Sequence, residues 1–460
     1  MRLPRHAWLA ALSLLSLAHL VYSQDSHYWT NQYGTRATLL GGAVIGSVLD
    51  LSATYYNPGG LSLIDKPGRL MAAKVMQYPR VALVGGDAES VSLHSFSPGP
   101  APSLIAGTFR IKSLRRHLFG YSYVARQDAK LGVSISEVGS RDIFLDSPGP
   151  EDFTTQFRLD QKVAEHWIGL TWSYKATSHI GLGVTQFLSI RSHWSTIQES
   201  VETRTEANHV AMAFGSRQFS YIQFRTLWKI GLAADFKDIT LGLTLTTPSV
   251  GLGGRGSTGV NATLSGLDTD GDRLPDDFLA ADYRDGISAF FKTPLSVAAG
   301  MTFKIQKVRV YWSTEWFAPL KPYAVLDAAP FTAQSSGDSE SIDVTHELAP
   351  VFNFGMGLEW FYSARFKGYA SFTTDYSSKR AGTTTNLAMS DWDIFHIVTG
   401  GELEFNGSSL TLGLGYSFGS HEVGERPDLL PPGATDVLWD PSEGLRFRYA
   451  IYKLIVGFAF

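Results

Sequence analysis

Apolar residues alternate with small or polar ones along much of the chain. Ile239, Leu241, Leu243 and Leu245 alternate with Thr240, Gly242, Thr244 and Thr246. Leu295, Val297, Ala299, Met301, Phe303 and Ile305 alternate with Ser296, Ala298, Gly300, Thr302 and Lys304. Leu410, Leu412, Leu414, Tyr416 and Phe418 do the same with Thr411, Gly413, Gly415 and Ser417. A period of two puts one set on each face of a strand. Segments of about ten such residues suit strands with lipid outside and a polar lumen inside. Fourteen strands are expected, near 69–79, 102–113, 117–127, 162–175, 178–194, 219–236, 239–247, 294–305, 307–317, 351–362, 364–376, 391–405, 408–419 and 446–460. Residues 129–137 read equally as strand or loop.

The apolar faces end in aromatics: Trp312 and Trp316, Trp360 and Tyr362, Phe372 and Tyr376, Tyr416 and Phe418. Amphipathic rings settle at headgroup level, so these form the expected girdles. Tight turns at Lys237-Asp238, Gln306-Lys307, Ser363 and Asn406-Gly407 alternate with long connections, roughly 128–161, 195–218, 248–293, 318–350, 377–390 and 420–445. Short turns on one side and long loops on the other are the pattern of an outer-membrane barrel with an even strand number. Closure removes the strand edges that lipid would not tolerate; a monomer is expected. The chain ends with Tyr452, Leu454, Val456, Phe458 and Phe460 on one face. That terminal pattern, above all Phe458 and Phe460, resembles the signal read by the barrel assembly machinery.

Composition agrees. Charged residues are 18% of the 460, aromatics 13%, and glycines number 45. No apolar run of about 20 residues follows the leader, which leaves no candidate for a spanning helix. A net charge of −4 argues against nucleic acid as a partner. With no cysteine, disulfides, thiol catalysis and lipoprotein acylation are excluded. Residues 1–23 read as a signal peptide: Arg2 and Arg5, then apolar Ala7 to Val21, then Val21-Tyr22-Ser23 before a mature start at Gln24.

Between this leader and the first strand lies Gly34 to Leu61, GTRATLLGGAVIGSVLDLSATYYNPGGL, small, glycine-dotted and non-alternating. Residues 24–67 are read as a plug and 68–460 as the barrel around it. Glycines at 41, 42, 46, 59 and 60 permit close packing and unusual backbone angles. Pro58 restricts Asn57 to extended conformations, and the Asn57 amide can bond backbone where irregular chain is enclosed by protein.

Arg36-Ala37, Gly41-Gly42-Ala43 and Tyr55-Tyr56-Asn57-Pro58-Gly59-Gly60-Leu61 resemble the hatch of the FadL family of outer-membrane transporters, with Gly59 where alanine is usual. Lys229-Ile230-Gly231-Leu232 before Leu241-Gly242-Leu243 and Thr247-Pro248, and Thr293-Pro294-Leu295-Ser296 with Glu315-Trp316, resemble the family's next hairpins. The resemblance runs from about residue 30 to the end. It implies a fourteen-stranded barrel, plugged from its N terminus, that passes long-chain fatty acids or similar hydrophobic molecules through the bacterial outer membrane without energy input. It also implies a kinked wall strand opening sideways into lipid. Asn57, Pro58, Gly59, Gly41 and Gly42 are the expected gate.

Among the predicted lumen charges, Lys304, Arg309, Arg365 and Lys367 are the candidates to meet a substrate carboxylate; the competing expectation is that lumen charges pair with each other and with the plug. Asp268, Asp270, Asp272 and Asp276 form an acidic outer loop that would suit calcium, although Arg273 stands where a calcium loop needs glycine and Leu279 where it needs glutamate. No other cofactor is indicated. Gly251, Gly253 and Gly256 spell G-x-G-x-x-G without a following helix, so a dinucleotide site is not expected. Three rivals make distinct predictions. A relative that anchors or shuttles surface proteins predicts large ordered outer loops and a sealed lumen. A general porin predicts an open aqueous lumen. A barrel enzyme predicts a Ser-His pair in hydrogen-bond reach on adjacent strands.

Overall fold

The computed structural model describes residues 26–47, 50–64, 69–71, 74–84, 92–93, 100–102, 104–141, 151–204, 210–267, 276–379, 385–387, 392–405, 408–422 and 446–459. The leader, Asp268, Asp270, Asp272, the Asn406-Gly407 turn and Phe460 lie outside the described residues.

Fourteen staves form one closed antiparallel barrel. They are β1 (Arg69–Met71 and Lys74–Val84), β2 (Pro100–Pro102 and Leu104–Phe109), β3 (His117–Arg141), β4 (Glu151–Lys175), β5 (Ile180–Arg204), β6 (Val210–Asp235) and β7 (Ile239–Thr246). Then follow β8 (Ser296–Ile305), β9 (Val308–Phe317), β10 (Val351–Phe361), β11 (Phe366–Asp375), β12 (Ile394–Phe405), β13 (Ser408–Glu422) and β14 (Arg446–Ala459). Each pairs with its sequence neighbours, β7 meeting β8 across the longest insertion. β1 closes the ring on β14, from Lys74↔Val456 to Val84↔Arg446. The described tight turns lie at one end, which we call the turn side; the opposite end is the loop side.

Burial alternates as the sequence pattern requires. On β5, Leu182, Leu188 and Trp194 face outward and are 43%, 38% and 43% exposed, while Thr185, Ser189 and Arg191 point into the lumen and are buried. Trp316, Trp360 and Tyr362 are exposed on the outer surface. A belt of this size in water would cost about 25 cal/mol per Å² of apolar area, a cost that a bilayer removes.

Three of the expected long loops are in large part sheet. β3 to β6 run through much of 128–161 and 195–218, and 129–137 is strand. Within 248–293, a hairpin of Val250–Leu267 and Asp276–Ser288 pairs along the loop-side half of β6, whose turn-side half pairs with β7. A tilted spanning strand needs about 9–11 residues. The 25 residues of β5 therefore leave roughly 14 beyond the lipid, or about 45 Å of strand. The reason the sequence hid this is chemical. Past Trp194 the outward residues become Thr196, Gln198, Ser200, Glu202 and Arg204. Water replaces lipid there, and the outer face loses its apolar signal. The 320–348 segment packs with Phe219 and Tyr221 of β6 through Val325, Leu326 and Val344, and with the outer hairpin through Ile342.

Candidate functional site

The plug fills the turn-side part of the lumen. It contains helix α1 (Thr35–Leu39), helix α2 (Ala53–Tyr56) and a 3-10 turn at Pro58–Leu63. Asn57 between the last two is extended, with φ −153° and ψ 96°, as the following proline requires. Its side chain ties three pieces together. Oδ1 accepts from Gly59 N at 3.1 Å, and Nδ2 donates to Ile45 O and to Leu232 O of β6, each at 3.0 Å. The plug and wall touch backbone to backbone at this seam. A Cβ on Gly59 would stand 2.6 Å from Gly181 O, 2.7 Å from Gly231 O and 2.9 Å from Ala233 N. Gly41 and Gly42 have φ of +60° and +78°, which suits glycine after α1, and Gly41 O accepts from Thr373 Oγ1 at 2.8 Å.

Wall hydroxyls satisfy much of the plug's free backbone. Thr185 Oγ1 donates to Thr54 O (2.8 Å), Thr244 Oγ1 to Tyr56 O (3.1 Å), and Ser313 Oγ accepts from Ile45 N (3.1 Å). Burial raises the Tyr55 and Tyr56 phenols above their ordinary pKa, so the plug's aromatic cluster stays uncharged. The start of the described plug is clasped on the loop side. Asp375 accepts from Tyr28 N (3.1 Å), Trp29 N (2.8 Å) and Thr30 Oγ1 (2.5 Å), while Lys453 Nζ donates to Thr30 O (3.1 Å).

The four predicted substrate cations lie near the turn side. Lys304 Nζ meets Asp235 at 2.6 Å, Lys367 Nζ meets Glu404 at 2.5 Å, and Arg309 lies 3.4 Å from Glu359. Arg365 is exposed in the turn before β11. Glu359 also binds Arg36 of the plug at 2.8 Å, with Tyr311 and Tyr369 donating to it. Asp276 opens the second strand of the outer hairpin opposite Leu267, and the described residues contain no cluster of metal-ligating side chains.

A different set of cations stands in the lumen above the plug, where sequence reasoning did not look. Rising from Tyr55 along the inward faces of β5 and β6 come Lys229, then Arg225, then Arg191. All three are buried. Lys229 Nζ lies 4.4 Å from the Tyr55 ring centre, and the described residues give it no hydrogen-bond acceptor. Glu165 of β4 accepts from Arg191 Nη1 at 2.8 Å and also from Arg225, Trp167 and Ser189. Arg225 Nε and Nη1 are buried without a partner. Arg126 sits beside this group and donates to Tyr33 Oη and Tyr28 O of the plug. Among the described residues here, four cations face two carboxylates, Glu165 and Glu315, and Glu315 already accepts from Trp29 and Ser296. The inward parity of positions 191, 225 and 229 was the available signal. Tyr55, Trp167, Phe187 and Leu227 belong to the buried apolar cluster next to these cations, and Gln127, Ser189 and Tyr221 join Glu165 in the polar network around Arg191.

A Ser-His pair on adjacent staves does occur. His396 Nδ1 lies 2.6 Å from Ser417 Oγ, and His396 Nε2 lies 3.8 Å from Asp375. All three are buried, and the Asp375 oxygens are already engaged by the plug. The trio backs the plug clasp and presents no accessible nucleophile.

No family model and no curated protein matches the chain in sequence. Solved structures match it in fold. The P. putida toluene transporter TodX superposes with a TM-score of 0.54 at 13% identity, over 93% of this chain and 99% of that one. A Pseudomonas aeruginosa FadL homologue gives 0.54 at 13%, over 94% and 99%. The CymD monoaromatic hydrocarbon channel gives 0.52 at 10%, over 93% and 98%. Over nearly its whole length, this chain has the fold of the FadL-type channels.

Proposed function

We propose that the protein is a non-enzymatic channel of the bacterial outer membrane. It lets hydrophobic molecules with an anionic head, long-chain fatty acids among them, pass the plug by diffusion. The observation that carries this reading is Arg225, a fully buried guanidinium with two unpartnered nitrogens beside the lumen's apolar cluster. A buried polar group left unmade costs about 1–3 kcal/mol, more when charged. A carboxylate placed there recovers that cost while its chain stays among Tyr55, Phe187 and Leu227. A neutral hydrocarbon gains only the apolar contact.

The plug must then yield to the ligand, which requires the ligand to prefer the open arrangement. The sideways exit falls at Arg126. The β3–β4 ladder slips there, between Ala125↔His166 and Gln127↔Glu165. Among the described residues, pairing of β2 with β3 runs from Phe109↔Phe119 to Leu104↔Val124. A bulge next to the last paired residue is a ready break in the wall.

Binding tests the reading. Dodecanoate should bind the purified barrel more tightly than dodecanol. Arg225→Gln should weaken the acid by about 10–100-fold, the worth of a charge-assisted bond, and leave the alcohol within about threefold. Equal losses for both ligands, or none for either, would remove Arg225 from head-group recognition. A second reading, an anchor for surface proteins, is favoured by one observation: the ordered sheet that β3 to β6 carry beyond the lipid.

A further inference from the structure

The lumen has a second obstruction, on the loop side of the arginines. Between the outer hairpin and β8, residues 289–293 leave the sheet and dip inward. Phe290 and Phe291 point opposite ways: Phe290 is 55% exposed and Phe291 only 8%. The Phe291 ring covers the two lumen arginines, with Arg191 Cζ 3.9 Å and Arg225 Cζ 4.8 Å from its centre. His346 stacks on the same ring at 5.6 Å and 23°. A cation on a ring face is held by about 0.5–2 kcal/mol, enough to keep a ring in place but not to lock it.

We propose that Phe291 is an aromatic stopper that covers the cation site from outside and must be displaced before a ligand head can reach Arg225. The site it covers rests on the function proposed above. The stopper itself rests on two further observations.

The first is how the segment is held. Phe291 N donates to Gln223 Oε1 (3.0 Å), Lys292 N to Tyr323 Oη (3.1 Å) and Thr293 N to Ser249 Oγ (2.8 Å). Three consecutive amides are thus bound by side chains, and backbone bonds hold the flanks, Phe290 N donating to Val325 O (2.8 Å) and Ser249 N to Thr293 O (3.2 Å). The second is room to move. Phe290 borders a cavity of about 670 Å³ between the outer hairpin and residues 324–329. Withdrawal of Phe291 toward that space uncovers both guanidinium groups. A ligand that replaces the ring keeps an apolar contact on Arg191 and adds a carboxylate to Arg225, so it prefers the withdrawn state, as any opening ligand must.

The chain has no cysteine, so a thiol introduced at Leu227, buried between Arg225 and Lys229, reports access to the site alone. In Leu227→Cys barrels, adding Phe291→Ala should speed modification by both a neutral and a sulfonate-bearing methanethiosulfonate by about tenfold or more, since access scales with the open fraction. Phe290→Ala should leave the rate unchanged. Equal rates with and without Phe291→Ala would overturn the stopper. Heat-modifiable migration checks assembly; if the alanine variant fails to assemble, Phe291→Leu is read instead and should give a smaller rise, no rise again overturning the proposal. Dodecanoate binding is scored separately. Faster labelling without acid binding keeps the stopper and removes the acid reading; acid binding with unchanged labelling does the reverse.

Discussion

Replacing Gly59 with valine should turn a closed barrel into a leaky one. In planar bilayers the native protein should show almost no ion current, and Gly59→Val should show sustained open steps. The cause is steric. A Cβ at this position meets two carbonyl oxygens and one amide nitrogen, at 2.6 to 2.9 Å, and all three belong to wall backbone. These atoms cannot retreat without disturbing the β5–β6 ladder, where Gly181 pairs with Ala233 and Gly183 with Gly231. The plug must move instead. Overpacking of this kind costs about 1–3 kcal/mol. As the seam lifts, Asn57 also loses its bond to Leu232 O, a further ~0.5–1.5 kcal/mol. A general porin would conduct before the change. A silent Gly59→Val barrel would mean that this seam is not where the lumen is sealed.

The second large effect is on stability. Glu165→Leu should destabilise the barrel by about 3–5 kcal/mol, the usual result of removing one partner of a buried ion pair. Glu165 receives Arg191, Arg225, Trp167 and Ser189 together. Without it, Arg225 loses the carboxylate it donates to, while Arg191 loses its carboxylate but keeps Tyr221 Oη and Gln127 Oε1. Urea unfolding followed by heat-modifiable migration would measure the loss. Adding Arg225→Leu should restore part of it, because replacing both partners with apolar groups is far less costly than removing one. A single variant within about 0.5 kcal/mol of the native protein would show that water or other groups already neutralise the arginines.

How much of this was legible in the sequence follows from what each position faces. Staves with lipid on one side announced themselves through residues such as Leu241, Leu243 and Leu245. The tight turns did so through Lys237-Asp238 and Gln306-Lys307. Asn57-Pro58-Gly59 was visible as a motif, but its contacts were not, because Leu232 and Gly181 are over a hundred residues away along the chain. The outer extension was hidden because Thr196, Gln198 and Ser200 face water. The lumen cations on β5 and β6 were hidden among many inward polar residues. Sequence reasoning named Lys304, Arg309, Arg365 and Lys367 as candidates while expecting most lumen charges to pair with each other; they lie near the turn side, and burial and pairing separate them from Arg225. Lys367 and Arg309 find carboxylates in partly open surroundings, whereas Arg225 keeps two unpartnered nitrogens inside. Phe291 carries no periodic signal at all. Its role depends on a segment that leaves the sheet at Ala289 and returns at β8.

Uptake tests the central claim most directly. Cells lacking their own fatty-acid channel should take up radiolabelled dodecanoate when they carry this protein, and uptake should fall when Arg225 is replaced with glutamine. Uptake no greater than in cells carrying an empty vector, with the barrel correctly inserted, would contradict the account.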